Sequence, residues 1–245
     1  MMRIVDSAVR LTSRGGKLPV ESYLERMDRL GILHAVAAPA DEFVAVYNDE
    51  GNAEMAKWVQ SFPDHVSALA VANPWYGPKA VDILQRAFDQ GCVGLYLHPF
   101  RQGFRLTEAI VDPLVEVCIQ RDKGIYSHTG TPICAMPFQL AELARRFPEG
   151  RFVMGHFGYT DFAGYDVLPA ARQVPNVSID TSCAWGELVQ QAIDALDPPR
   201  ILFGSGYPRS SPRLEIDKMR RLDLRPDVLQ KVMCDNALKF WGIRL

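Results

Sequence analysis

The chain has 245 residues, of which 48% are hydrophobic and 23% charged, and a formal net charge of −2. That suits a folded domain with a sizeable core and leaves no electrostatic case for nucleic acid or an anionic membrane surface. No run of about 18 uninterrupted apolar residues and no charged-then-apolar leader is present, so neither a spanning helix nor a signal peptide is expected, and the cytoplasm is the expected location.

In chain order the sequence alternates short apolar runs with helical spacing. RIVD reads as a first strand. PVESYLERMDRL follows as a helix, with Val20, Tyr23, Leu24, Met27 and Leu30 at helical intervals. ILHAVAA is a second strand and EMAKWVQSF belongs to a helix closed by Pro63. VSALAVA is a third strand, before a helix with Ala80, Ile83, Leu84, Ala87 and Phe88 on one face. Then come VGLYL, a helix capped by Thr107, GIYS, a helix through LAELARRF, and RFVMG. After a helical stretch around DVLPAARQ, VSID is strand seven and ELVQQAIDAL a helix ended by Pro198 and Pro199. ILFGS is strand eight. Ser211 and Pro212 open the next helix as cap and first-turn proline, and a last helix runs through VLQKVMCDNALKFW. Strand–helix alternation with near-continuous apolar strands predicts an α/β fold: a single (β/α)8 TIM-like barrel spanning residues 1–245, with its mouth at the C-terminal ends of the strands. An open doubly wound sheet fits less well, because no GxGxxG follows any strand.

Of the five histidines, His98, His128 and His156 end consecutive strands, in VGLYLHP, GIYSHTG and RFVMGHFG. In a barrel these ends meet around one mouth. Asp6, Ala8 and Arg10 from strand one belong there too, with Asn73, Tyr96, Asp180, Ser182, Ser205 and Tyr207. His34 lies inside strand two and reads as a hydrogen-bonded core residue; His65 precedes strand three on the opposite face. The five cysteines (Cys92, Cys118, Cys134, Cys183, Cys234) are scattered and never form CxxC, against both a disulfide framework and a zinc knuckle. Cys183, in DTSCAW, is the one thiol expected near a pocket, and it has no assignable acid–base partner.

Taken in order, GCVGLYLHP, IYSHTG, RFVMGHFG, NVSIDTS, ILFGSGYP and DNALKFWGI resemble the amidohydrolase-related (amidohydrolase-2) family, and FPDHVSALAVANP is similar to the segment before that family's third strand. The resemblance spans nearly the whole chain. It implies a barrel of the metal-dependent hydrolase and decarboxylase type, such as the 2-amino-3-carboxymuconate semialdehyde decarboxylases, and frequent dimers in that family make a homodimer a candidate assembly. Family members usually begin with a strand ending Asp-x-His-x-His, whose histidines bind a divalent metal. Here Asp6 matches, but Ala8 and Arg10 stand at the histidine positions. The last strand usually ends Gly-Ser-Asp-x-Pro; here the phrase is GSGYP, with Gly206 at the aspartate's place. His128 and His156 match the remaining histidines of the pattern.

A catalytic zinc site takes three protein ligands. Alanine and glycine supply none, and Arg10 brings a fixed positive charge that no local carboxylate in the sequence evidently neutralises. No cofactor is therefore expected at the family's usual position. If zinc or another divalent metal binds, His98, His128 and His156 are its candidate ligands. Arg10 can replace the metal's charge and hold a substrate carboxylate with two parallel hydrogen bonds, and Arg101, Arg105 and Arg209 lie on loops that could share that role. Loss of metal need not mean loss of activity, since the related 2-pyrone-4,6-dicarboxylate hydrolases manage without it. The reading is a hydrolase, or decarboxylase, acting on a small carboxylate-bearing substrate without the usual metal. His128 or His156 serves as general base working near its own pKa, and Asp180 orients a histidine. Arg10, Tyr96, His98, Tyr207 and Arg209 contact substrate, with the tyrosines donating to a developing oxyanion. The alternative is an inactive relative that binds a ligand or a protein partner; a mouth plugged by Phe100, Phe104 or Trp185 would favour it.

Overall fold

The computed structural model describes residues 2–11, 20–159 and 163–245. Eight parallel strands, β1 (Ile4–Leu11), β2 (Ile32–Pro39), β3 (Val66–Ala70), β4 (Gly94–Leu97), β5 (Gly124–His128), β6 (Phe152–Gly155), β7 (Val177–Asp180) and β8 (Ile201–Leu202), lie side by side in chain order. The ring is joined between β8 and β1 by backbone hydrogen bonds from Ser7 N–H to the Phe203 carbonyl and from Arg10 N–H to the Tyr207 carbonyl, both 3.0 Å. Helices alternate with the strands, so the architecture is the expected (β/α)8 barrel.

Two apolar layers hold it. Inside, Val5, Val36, Leu69, Val71, Val153 and Leu202 fill the barrel. Trp241 lies within contact distance of Gly94 and Gly124, the first residues of β4 and β5, and so closes the barrel at the strands' N-terminal ends. Outside, helix faces pack on the strands. The helix Pro78–Asp89 buries Ala80, Ile83, Leu84, Ala87 and Phe88, the five positions its periodicity marks; each fully buried large apolar side chain stabilises by about 1.5–3 kcal/mol. The helix Val20–Leu30 buries Val20, Tyr23 and Met27, while Leu24 and Leu30 are half-buried against the same layer. His34 is a satisfied core residue, its ring nitrogens 3.0 Å from the Asp64 carbonyl and 2.9 Å from Ser67 Oγ.

Boundaries differ in instructive places. β1 runs on to Leu11, so Ala8 and Arg10 lie within the strand, whereas β8 is only Ile201–Leu202. Thr107 caps no helix. A 3-10 turn, Ala109–Val111, leads into the helix Asp112–Gln120, whose start is set by Pro113, a first-turn residue that needs no N–H. Ser211 stands at the cap position before Pro212, but its side chain makes no capping bond. The final helical stretch is broken by a π-turn at Lys231–Asp235 between the helices Pro226–Gln230 and Asn236–Trp241. Pro198 opens a 3-10 turn, and the helix before it has already ended at Ala195.

Candidate active site

Side chains two apart on a strand share a face, and β4 and β5 use this to build two aromatic tiers at the mouth. Tyr96 and Tyr126 stack with centroids 5.7 Å apart. One step further along, His98 and His128 stack at 4.0 Å with planes inclined by 12°. His156 adjoins the upper tier, 5.3 Å from His128, and the lower one, 5.7 Å from Tyr126. All three imidazoles are buried.

His156 owes its place to a left-handed turn. Its φ is 57° and that of Phe157 is 46°, a conformation that costs about 1–3 kcal/mol per non-glycine residue and persists only where neighbours enforce it. Asp180 at the end of β7 enforces it, accepting the His156 N–H at 2.9 Å. The same carboxylate accepts the Tyr126 hydroxyl at 2.6 Å, the Ser182 hydroxyl at 2.6 Å and the Ser182 N–H at 3.0 Å. Because the Ser182 hydroxyl gives its proton to Asp180, its oxygen accepts from His156 Nδ1, 2.9 Å away. That assignment puts the ring proton on Nδ1 and leaves the Nε2 lone pair free. Asp180 therefore orients His156 through its backbone and through Ser182.

Asp6 is a second fully buried carboxylate. It accepts from the Tyr23 hydroxyl, the Ala8 N–H at 3.2 Å and the Ser205 N–H at 2.7 Å, tying β1 to the loop after β8. Burial pushes its pKa up to about 6 against the pull of those donors. The loop after β8 is tightly fitted. A Cβ on Gly204 would stand 2.1 Å from Asp180 Oδ1 and 2.6 Å from Ala8 Cβ, and Gly206, at φ 64°, sits where a side chain would be strained.

At the centre is a small cavity, about 10 Å³, room for about one water centre. Arg10, Tyr96, Tyr126, His156 and Tyr207 line it with Ala8. The Arg10 guanidinium is 3.4 Å from the Tyr96 hydroxyl and 3.3 Å from Asp41 Oδ1. Burial works against its charge, but Tyr96 and Asp41 outweigh that and hold its pKa above the usual arginine range. Asp41 corrects the expectation that no carboxylate neutralises Arg10. It is the first residue of the short helix Asp41–Ala45 after β2 and also binds Arg101 at 2.6 Å.

The histidines do not work near their ordinary pKa. Burial, then His128 and Arg10, pushes His98 down to about 2. Burial, then His156 and the guanidiniums of Arg10, Arg209 and Arg101, holds His128 well below its usual value. Burial and Arg10 do the same to His156. All three are neutral imidazoles at pH 7. His128 Nε2 pairs with Thr131 Oγ1 at 3.0 Å, while the buried Nδ1 atoms of His98 and His128 have no hydrogen-bond partner.

Other expected residues fall outside this constellation. Asn73 is a turn cap, its side chain bound to Trp75 N–H and the Ala45 carbonyl. Arg209 lies at the rim, its guanidinium 4.0 Å over the Tyr159 ring. Arg105 is exposed, and its backbone N–H binds Glu108. Cys183 lines a neighbouring groove with Arg209 and Lys218, and burial pushes its thiol up to about 12. Of the three aromatic residues that could plug the mouth, Phe104 is buried in the helix–strand layer, and Phe100 and Trp185 are exposed. Two residues went unread in the sequence. Tyr126 stands two before His128, as Tyr96 stands two before His98, so strand alternation could have found it. Asp41 carries no such signal.

The comparisons with known proteins agree with this fold. The chain overlays the 5-carboxyvanillate decarboxylase of Sphingomonas paucimobilis with a TM-score of 0.80 at 16% identity, covering 100% of both chains. It overlays an uncharacterized TIM-barrel protein of Bordetella bronchiseptica at 0.81 and 18%, covering 99% of each. A dihydroxybenzoic acid decarboxylase of Polaromonas, solved with manganese and 2-nitroresorcinol, follows at 0.76 and 15%, covering 100% of this chain and 98% of that one. No curated protein matches the sequence. At such identities these likenesses establish the fold. The family rests on the sequence itself: with the amidohydrolase model matched over residues 11–243, this chain belongs to the amidohydrolase family.

Proposed function

We propose that the chain is an enzyme acting on a small carboxylate-bearing molecule, and that Arg10 takes the place of the metal ion that relatives such as the manganese-bound decarboxylase carry. The carrying observation is the Arg10 guanidinium inside the cavity, beside Tyr96 and across from His156. The donor set does not suit a divalent ion. Ala8 offers no ligand atom, and Arg10 puts a permanent positive charge at the mouth. The rings of His98 and His128 lie face to face, so their nitrogens do not converge. Among the described residues no group of three His, Cys, Asp or Glu is disposed to hold a metal.

In the reaction this arrangement supports, Arg10 grips the substrate carboxylate with charge-assisted hydrogen bonds. His156 Nε2 accepts a proton from water as the water oxygen bonds to an ester, lactone or amide carbonyl carbon. Tyr96 and Tyr207 donate to the carbonyl oxygen as it gains charge. The proton returns from His156 to the leaving group as the bond to that group breaks. Neutral histidines suit this base role better than decarboxylation, in which the carbon that loses carbon dioxide must be given a proton. Decarboxylation stays within the same class and shares the Arg10 anchor.

The test is turnover. Metal-stripped protein in excess chelator is assayed against small carboxylate-bearing esters and lactones and against hydroxybenzoates, with product read by mass spectrometry. Turnover that survives chelation supports the reading. Turnover that appears only with added manganese or zinc overturns the substitution of Arg10 for metal. The small cavity favours one second reading, a relative that binds an anion without chemistry; stoichiometric binding with no product from any substrate would establish it.

A further inference from the structure

We propose that Asp41 is an internal competitor of the substrate: its carboxylate occupies Arg10 and Arg101 and must be displaced before a substrate carboxylate binds them, so it weakens the binding of every carboxylate at this site. This rests on the reading of Arg10 as the substrate's anchor. Asp41 bridges the two guanidiniums, with Oδ1 3.3 Å from Arg10 and Oδ2 2.6 Å from Arg101. One arginine comes from β1 and the other from the short helix Pro99–Gln102 after β4, so a single carboxylate links these two elements.

The three carboxylates near the mouth differ in how firmly they are held. Asp6 and Asp180 are fully buried, and each accepts hydrogen bonds from at least three groups of the surrounding loops. Asp41 is 38% exposed, has two ion pairs, and has no hydrogen-bond partner at Oδ1. Its helix is a single turn with no side-chain cap. Of the three it is the one that can exchange with an incoming anion, and with about 10 Å³ of free space something must give way before a substrate enters.

Arg10, Arg101 and Arg209 surround the opening, and among the described residues Asp41 is the one carboxylate that pairs with any of them. Any carboxylate that replaces Asp41 first breaks those pairs, a cost that is the same for a monoanion and a dianion. A dianion also reaches the third guanidinium, which favours it whether or not Asp41 is present.

The experiment is calorimetric titration of the 245-residue chain with isophthalate and with benzoate, in wild type, Asp41→Asn and Arg10→Gln. Wild type should bind isophthalate about tenfold tighter than benzoate. Asp41→Asn should tighten both probes, each by about tenfold, because the same displacement cost is removed for each. Asp41 is partly exposed, so the variant should keep its melting temperature; Asp41→Ser replaces it if the amide variant does not fold. Unchanged affinities in the Asp41 variant, with isophthalate binding that Arg10→Gln abolishes, would overturn the competition and leave the Arg10 anchor standing. Failure of wild type and the Asp41 variant to bind either probe would overturn both.

Discussion

His98 and His128 stack face to face at 4.0 Å, and the guanidiniums of Arg10 and Arg101 act on both rings. Neither ring can be protonated without placing a cation against its neighbour and against Arg10, so the pair stays neutral. These two rings therefore stand as uncharged walls of the site, and the base role falls to His156, whose Nδ1 is engaged by Ser182.

The pH dependence of stability follows from this. His34, His98, His128 and His156 all have folded pKa values below the unfolded one near 6.5. Each stabilises the fold above pH 6.5, and that stability is lost as pH falls below it, by up to about 1.4 kcal/mol per pH unit per group. Asp6, raised from 3.8 to about 6, works the other way, losing its contribution as pH rises between those values. Four groups outweigh one. Thermal melts should show a falling Tm between pH 6.5 and 5, and a flat or rising Tm over that range would contradict the burial of neutral histidines.

Activity should respond differently. Because burial and Arg10 keep His156 unprotonated well below its ordinary pKa, kcat/KM should stay level from pH 8 down to 6. A profile that halves near pH 6.5 would mean a histidine of ordinary pKa does the work. His156→Asn should lower kcat by about 100-fold or more while leaving KM nearly unchanged, as expected when a general base is lost.

Tyr126 tests the Asp180 network separately from chemistry. Tyr126→Phe removes the 2.6 Å hydrogen bond to a fully buried carboxylate that keeps its other donors. The expected cost is about 1–3 kcal/mol in chemical denaturation. No loss of stability would mean that Asp180 is held without it.

Rebuilding a metal site should be possible from one side of the barrel only. Ala8→His with Arg10→His removes the guanidinium and adds two imidazoles to the cavity that His156 lines, and should raise zinc affinity by at least about tenfold over wild type in an indicator competition. Adding Gly206→Asp should instead lower Tm, because Gly206 has φ 64° and a Cβ there would stand 3.0 Å from Cys183 Sγ. A triple variant as stable as the double would refute that strain.

Much of this was readable in the chain. Helical spacing marked the buried face of Pro78–Asp89, and strand-end position brought Arg10, Tyr96, His128, His156 and Asp180 to one mouth. What the sequence could not carry was the exchange of partners across the barrel. Asp41 meets Arg10 and Arg101 only because β2 ends between β1 and the loop after β4, and no local pattern announces that. The same limit hid the protonation of the histidines, which depends on burial and on charges contributed by distant loops. The β1 boundary failed for a plainer reason: Asp6, Ser7 and Arg10 break the apolar run, and pairing with β2 shifts register between Asp6 and Val9 before it resumes through Leu11.

The most direct test of Arg10 as the substrate anchor is isothermal titration of wild-type protein and the Arg10→Gln variant with isophthalate, each confirmed folded by its melting curve. Arg10 as anchor calls for one molecule bound per chain in wild type, and at least about tenfold weaker binding in the variant. Equal affinity in the two proteins would contradict it and move the anion site away from Arg10.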